Sequence, residues 1–333
     1  MRPIVTVVII NYNYGRYLPE AVESVLAQDF PADDMEVIVV DDGSTDDSKE
    51  RLRPYLGRAR WISKENGGQV SAFNLAFAQA RGKYVALLEA DDAWEPAKLR
   101  KTIGRLESEP SKTLAQHWLR CTDAEGRPLP GFSYPSGPTQ VTLTQLLNGE
   151  LASAGSSGLV FRADALRPDT PFPEKFLFGA DICLRLAAAV RGPIAVVPEI
   201  LGRRRIHGGN LFGKTLYDEP EKLARVLKFH LTMRDYHRDF LSSHGIAIDP
   251  GVLRALDLEA VQMEIFLHRY RRNFGKAIGC WWKWMRLCGS TRYAVFKGAA
   301  LVLALVSPAL FLSAQRAYAA SPLMRWRLKW SAA

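Results

Sequence analysis

From Gly82 to Asp92 the chain reads Gly-Lys-Tyr-Val-Ala-Leu-Leu-Glu-Ala-Asp-Asp, an apolar run that stops abruptly in three carboxylates, Glu89, Asp91 and Asp92. An unbroken apolar run such as Tyr84 to Leu88 reads as a strand covered on both faces, as in parallel sheets. Open α/β sheets bind their ligands at the carboxyl ends of such strands. Three carboxylates this close repel one another unless a cation neutralises them, and hard divalent cations prefer oxygen ligands. The stretch therefore predicts a Mg²⁺ or Mn²⁺ site that also holds a diphosphate. The competing reading is a solvated acidic turn ahead of Trp94-Glu95-Pro96.

The chain before it repeats the pattern. Ile4 to Ile10 is a β-branched strand broken by Asn11-Tyr12-Asn13-Tyr14-Gly15. A helix follows from Leu18 to Gln28, with Leu18, Ala21, Val22, Val25 and Leu26 on one face. A second strand, Glu36 to Val40, ends in Asp41-Asp42-Gly43-Ser44. Strand, helix, strand implies a right-handed parallel crossover. A helix over Ser48–Leu56 and a short strand near Trp61 come next. Glu65-Asn66-Gly67-Gly68-Gln69 then leads into a helix from Val70 to Ala80, a loop whose backbone N–H groups suit phosphate. No Gly-x-Gly-x-x-Gly follows the first strand, so a dinucleotide fold is not indicated.

Past Asp92 we expect a helix from Ala97 to Leu106 and then loose Pro/Gly-rich chain to about residue 150. Further on come a strand at Leu159–Phe161, a helix carrying Asp181 and a strand from Ile194 to Val197. Gly202-Arg203-Arg204-Arg205-Ile206-His207-Gly208-Gly209-Asn210 reads either as a loop directed at an anionic ligand or as a basic surface loop.

Four segments, in order and at these spacings, carry a family pattern: Val8-Ile9-Ile10-Asn11-Tyr12-Asn13, Ser24-Val25-Leu26-Ala27-Gln28, Val39-Val40-Asp41-Asp42-Gly43-Ser44-Thr45-Asp46 and Leu88-Glu89-Ala90-Asp91-Asp92. The chain resembles the family 2 glycosyltransferases, closely over residues 4–105 and more loosely to Asn210. The resemblance implies a GT-A fold, an α/β Rossmann-like architecture with a mixed, mainly parallel sheet flanked by helices. It also implies a nucleoside-diphosphate-sugar donor, uridine diphosphate being the commonest nucleotide, and Mn²⁺ or Mg²⁺ as cofactor. Ile10 and Asn11 would line the base pocket and Asp42 would contact base or ribose. Asn66 and Gly67 would lie along the donor. Glu89-Ala90-Asp91 stands at the position of the Asp-x-Asp motif, so Asp91, with Glu89 and His207, would surround the metal, and Asp92 would lie beside it on the donor. Asp181 corresponds to the catalytic base, with Ala180 where the family usually has Glu. Arg205-Ile206-His207 matches a segment that closes over the diphosphate.

These residue types suit the reaction. A carboxylate base removes the acceptor hydroxyl's proton during attack, and the charge growing on the leaving diphosphate is met by a cation and by Arg205 and His207. A single displacement would invert the anomeric centre. Two other readings compete. A non-catalytic nucleotide-sugar binder would account for Glu89 and Ala180. A sugar nucleotidyltransferase would need a Gly-rich basic loop after the first strand, which Asn11-Tyr12-Asn13-Tyr14 does not supply.

Charge divides the chain in two. The net charge is +9, yet residues 251–333 hold 13 Lys/Arg against 3 Asp/Glu, leaving 31 against 32 for the rest. We expect a catalytic domain over residues 1–215 and a helical region over 216–333. The latter should have helices at Glu219–Ser243 and Leu253–Phe274, the first with Leu223, Val226, Leu227, His230 and Leu231 on one face. Basic residues interleave with Trp281, Trp282 and Trp284. Gly298 to Ala314 is uncharged but short for a spanning helix and is interrupted by Pro308. With Lys/Arg on both flanks, this composition predicts docking on the cytoplasmic face of the cell membrane by interfacial helices or a re-entrant hairpin, the competing reading being a buried core helix with basic caps, and disfavours nucleic acid. A lipid-linked saccharide, or another saccharide of envelope or exopolysaccharide synthesis, is then the expected acceptor. The scattered Cys121, Cys183, Cys280 and Cys288 fit a reducing compartment, and no leader is expected before the first strand.

Overall fold

The computed structural model describes residues 2–129, 138–148, 151, 154–174, 176, 179–208, 220–288 and 301. The chain divides into two compact units, Met1–Gly209 and Asn210–Ala333.

The elements of the first unit are β1 (Val5–Asn11), α1 (Leu18–Leu26), β2 (Met35–Asp41), α2 (Ser48–Leu52), β3 (Arg60–Ser63), α3 (Gln69–Gln79), β4 (Tyr84–Glu89), β5 (Ala93–Trp94), α4 (Lys98–Ser108), β6 (Leu114–Thr122), β7 (Gln140–Val141), α5 (Leu143–Leu147), β8 (Leu159–Arg162), α6 (Ala163–Leu166), α7 (Ala180–Ala189) and β9 (Ile194–Arg205). One nine-stranded sheet runs β3-β2-β1-β4-β8-β6-β9-β5, with β7 on β9. The β-branched residues of β1 are buried on both faces, so no solvated side limits its composition. Helix α1 opens with Pro19 in its first turn and buries Leu18, Ala21, Val22 and Val25, the spacing that sets one stripe against the sheet. Each such side chain removed from water contributes about 1.5–3 kcal/mol.

The sheet is mixed, with parallel pairing along its longer strands. Strands β1, β2, β3 and β4 pair in parallel, whereas β8 runs antiparallel to both β4 and β6. Strand β9 is parallel to β6 and antiparallel to β5 and β7. One long strand and the far end of another depart from the sequence expectation. Strand β6 lies where loose chain is expected, because its buried positions include Gln116 and His117, which break an apolar pattern. Strand β9 runs on through Arg203, Arg204 and Arg205, so these arginines belong to a strand end and not to a loop. The predicted Ser48–Leu56 helix is one α turn, Ser48–Leu52, followed by a 3₁₀ turn at Arg53–Tyr55, where Pro54 cannot donate to the ladder.

The second unit contains α8 (Pro220–Ser243), α9 (Pro250–Tyr270) and α10 (Phe274–Cys288). Leu223, Val226 and Leu227 of α8, Val261, Ile265 and Phe266 of α9, and Trp284 of α10 share a core, joined by Leu301. The predicted Leu253–Phe274 helix ends earlier. Arg272 takes a left-handed φ of 55° and the Asn273 N–H returns to the His268 carbonyl at 2.8 Å, so a new helix starts at Phe274. No glycine marks this stop, which is why the sequence conceals it. Among the described residues no helix is long and apolar enough to cross a membrane. The Gly298–Ala314 run lies outside the described residues except for Leu301.

Candidate active site

Parallel register brings the predicted residues to one sheet edge. Asn11 stands opposite Asp41, and Ile10 opposite Glu89. Asn11 is fully buried and its Nδ2 donates to Asp41 Oδ1 (2.9 Å) and Ser44 Oγ (3.0 Å). Asp41 also accepts from the Ser44 backbone N–H at 3.2 Å, so it supports its own loop. Asp42 accepts from Lys64 Nζ (2.8 Å) and from the backbone N–H groups of Gly67 (3.0 Å) and Gly68 (2.8 Å). The loop amides that the sequence offers to a phosphate are thus turned onto Asp42. Gly68 has φ 85° and ψ 170°, a conformation essentially closed to other residues, and it caps α3. Asn66 is exposed beside it. Ile10 is 5 % exposed.

The end of β4 carries the densest chemistry. Asp92 accepts from Ser157 Oγ (2.5 Å) and from the Arg205 N–H (2.9 Å), which occupies both of its oxygens. Burial, with Asp91 alongside, pushes its carboxyl well above the usual range. Glu89 accepts from Gln69 Nε2 (2.5 Å), and burial together with the charge of Asp91 raises its pKa to about 7. The Asp91 carboxylate accepts from His207 Nε2 at 3.0 Å. The His207 ring is flanked by Tyr14 and Tyr17, with centroids at 5.4 and 5.3 Å. Burial and the three carboxylates raise the Tyr14 phenol, so it stays protonated and available as a donor.

Arg205 is not free to close over a ligand. Its Nε donates to the Asp91 carbonyl (3.0 Å), Nη1 donates to the Ala124 carbonyl (3.0 Å), Nη2 pairs with Glu20, and the guanidinium lies 4.7 Å from the centre of the Tyr17 ring. It fixes the backbone beneath the acidic cluster.

Gln69 connects this cluster to α7. Its Nε2 holds Glu89 and its Oε1 accepts from the Ala180 N–H at 3.0 Å. Gly179, left-handed at φ 76°, turns the chain into α7, and Asp181 sits in the first turn. The charge of Asp181 is felt by both Glu89 and Arg185. The residues missed in the sequence are Gln69, Ser157, Lys64, Glu20 and the Tyr14–Tyr17 pair. Of these, Gln69 is visible in the sequence only as a member of its glycine-bearing loop.

Among the described residues no group of three or more His, Cys, Asp and Glu side chains is arranged to hold an ion. At the end of β4, Asp91 and His207 form a donor pair of one hard oxygen and one imidazole, 3.0 Å apart. A Mg²⁺ or Mn²⁺ ion bound together with a diphosphate characteristically takes only one or two protein ligands, the phosphates supplying others. The pair fits such an ion. Glu89, held by Gln69, lies within the electrostatic reach of Asp91.

A curled mixed sheet with this acidic edge is the GT-A glycosyltransferase architecture. The chain matches the model of glycosyl transferase family 2 over residues 6–167. It is 35 % identical over 253 residues to an uncharacterized glycosyltransferase of Nostoc sp., spanning 72 % of this chain and 76 % of that one. With Escherichia coli chondroitin synthase it shares 28 % identity over 234 residues, 69 % of this chain but 33 % of that protein. Two solved structures share the fold. Staphylococcus aureus TarS 1–349, in complex with UDP-GlcNAc, has TM-score 0.54 at 17 % identity over 82 % of this chain and 89 % of that one. Mannosyltransferase PcManGT from Pyrobaculum calidifontis, in complex with GDP-Man and Mn²⁺, has TM-score 0.56 at 19 % identity over 96 % and 85 %. The chain belongs to glycosyl transferase family 2.

Proposed function

We propose that this enzyme binds a nucleoside diphosphate sugar, with uridine diphosphate the first nucleotide to test, and transfers its sugar with inversion to a hydroxyl of a saccharide or lipid-linked saccharide. The observation that carries this reading is the Asp91–His207 pair at the end of β4, linked through Glu89 and Gln69 to the start of the helix bearing Asp181. Asp91 and His207 are the residues that would hold Mn²⁺ or Mg²⁺. When bound, such an ion supplies positive charge where the leaving diphosphate becomes negative.

Asp181 acts as the base: its carboxylate takes the acceptor hydroxyl proton as the oxygen attacks the anomeric carbon from the face opposite the diphosphate. Tyr14, kept protonated among the carboxylates, can donate to an oxygen of the departing group. Asn11 and Asp42 shape the donor pocket by holding the loops around it, and Ile10 and Asn66 line it. Nucleotide sugars in the two structural neighbours, and Mn²⁺ in one of them, support the donor and ion classes. The chondroitin synthase relative supports a saccharide acceptor, of the kind used in envelope or exopolysaccharide synthesis.

The test is thermal stabilisation by a panel of nucleoside diphosphates and their sugars, with and without Mn²⁺. A ligand at 100 times its dissociation constant adds about 2.7 kcal/mol to the folded state. One nucleotide that stabilises the protein with Mn²⁺ but not the Asp91→Ala variant supports the reading. An equal shift in that variant contradicts it.

A further inference from the structure

Helix α10 exposes an apolar stripe. Of the five large hydrophobic side chains exposed among the described residues, three lie on it: Phe274 at 51 %, Ile278 at 47 % and Trp282 at 54 %. Their spacing of four places them on one face over two turns. A different face of the helix buries Ala277 and sets Trp284 into the helical core, leaving the stripe about half exposed. Around the helix from the stripe, past Gly275 and Gly279, stand the exposed Lys276, Lys283 and Arg286, Lys283 with the Glu264 carboxylate of α9 at 3.7 Å. A Cβ added at Gly275 or Gly279 meets nothing within 4 Å, so the surface between the apolar and basic flanks is open and flat.

Charge decides what covers this face. From residue 265 to 333 the chain holds 12 Lys/Arg and no Asp or Glu. A second copy of α10 would set basic flank near basic flank. An anionic partner is complementary, and a partner that takes in Phe, Ile and Trp side chains while its surface meets Lys and Arg is a bilayer with acidic headgroups. We propose that α10 is an interfacial helix that seats Phe274, Ile278 and Trp282 among the acyl chains of an anionic membrane, with Lys276, Lys283 and Arg286 on its phosphates. Trp282 packs edge-on against Trp281 at 4.8 Å, presenting a pre-ordered aromatic pair to the headgroup layer.

The full chain is sedimented with vesicles of phosphatidylcholine alone or mixed with phosphatidylglycerol. The wild type is expected to bind only the mixed vesicles, and less at high salt. Ile278→Ser/Trp282→Ser is expected to weaken partition by about tenfold or more. Lys276→Glu/Lys283→Glu/Arg286→Glu should weaken it on the order of 100-fold. Both sets lie on the surface, and unchanged melting curves will show that the variants fold. Three outcomes overturn the proposal. They are a wild type that ignores anionic vesicles, an Ile278→Ser/Trp282→Ser protein that binds them like wild type, and a lipid-free dimer, dissolved by those substitutions, that does not bind vesicles.

Discussion

The His207 imidazole donates to the Asp91 carboxylate at 3.0 Å, joining the residue two beyond the end of β9 to the residue two beyond the end of β4. Neither residue is near the other in sequence. Strand β9 running through Arg205, with the Arg205 N–H on Asp92, brings them together.

If this pair receives the cation, His207→Phe, which keeps a ring between Tyr14 and Tyr17, should weaken Mn²⁺ binding by roughly tenfold or more. Mn²⁺ titration by electron paramagnetic resonance in the presence of nucleotide measures it. Unchanged affinity would remove His207 from the site.

Gln69 holds Glu89 with one amide atom and the start of α7 with the other. Gln69→Ala leaves a buried carboxyl and a helix-entry amide without it, and should cost about 1–3 kcal/mol of stability. It should also lower kcat more than it raises KM for the donor, because Asp181 loses its anchor. Gln69→Glu, which keeps the acceptor but not the donor, should not restore activity. A wild-type kcat in Gln69→Ala would show that the link carries no catalytic role.

Arg205 makes bonds in three directions besides its contact with Tyr17, a geometry that only a guanidinium fork matches. Arg205→Lys should therefore destabilise by about 3 kcal/mol, as in the loss of a buried charged network, despite retaining the charge. Denaturant unfolding measures this; a loss under 1 kcal/mol, the range of a surface pair, would contradict the geometry.

Lys98, fully buried at the start of α4, lies 3.2 Å from the centre of the Trp94 ring beside buried His117. Its Nζ makes no hydrogen bond. Burial drives its pKa well below the ordinary lysine value. The unfolded chain then binds a proton that the folded chain releases, so this residue makes stability rise with pH up to the ordinary lysine range. Lys98→Met should raise stability at neutral pH by about 1–3 kcal/mol and flatten the profile above it. Melting curves from pH 7 to pH 10 decide this, and a destabilised methionine variant would show that the amine supports the fold.

Much of the donor half was readable because its signals are local. The β-branched runs of β1 and β2, the Leu18 stripe of α1 and the acidic strand ends each announce themselves within a few residues. The second half hides for physical reasons. Strand β6 buries Gln116 and His117, so its pattern looks polar. The arginines of β9 look like a loop because one of them is satisfied by contacts from Glu20, Asp91 and Ala124, all remote in sequence. Asp41 supports its own loop through the Ser44 N–H. Asp42 and Arg205 were expected on the donor, and the structure engages both within the protein. The Gln69 bridge depends on α3 and α7 meeting, which no local pattern states.

Asp181 as the base of a nucleotide-sugar transfer is the proposal most directly open to measurement. Release of nucleoside diphosphate from the stabilising donor, with water or a saccharide as acceptor, should be compared in wild type and Asp181→Asn. Turnover in the variant should fall by at least about 100-fold, while the donor still raises its melting temperature as in wild type. Turnover equal to wild type would contradict the account.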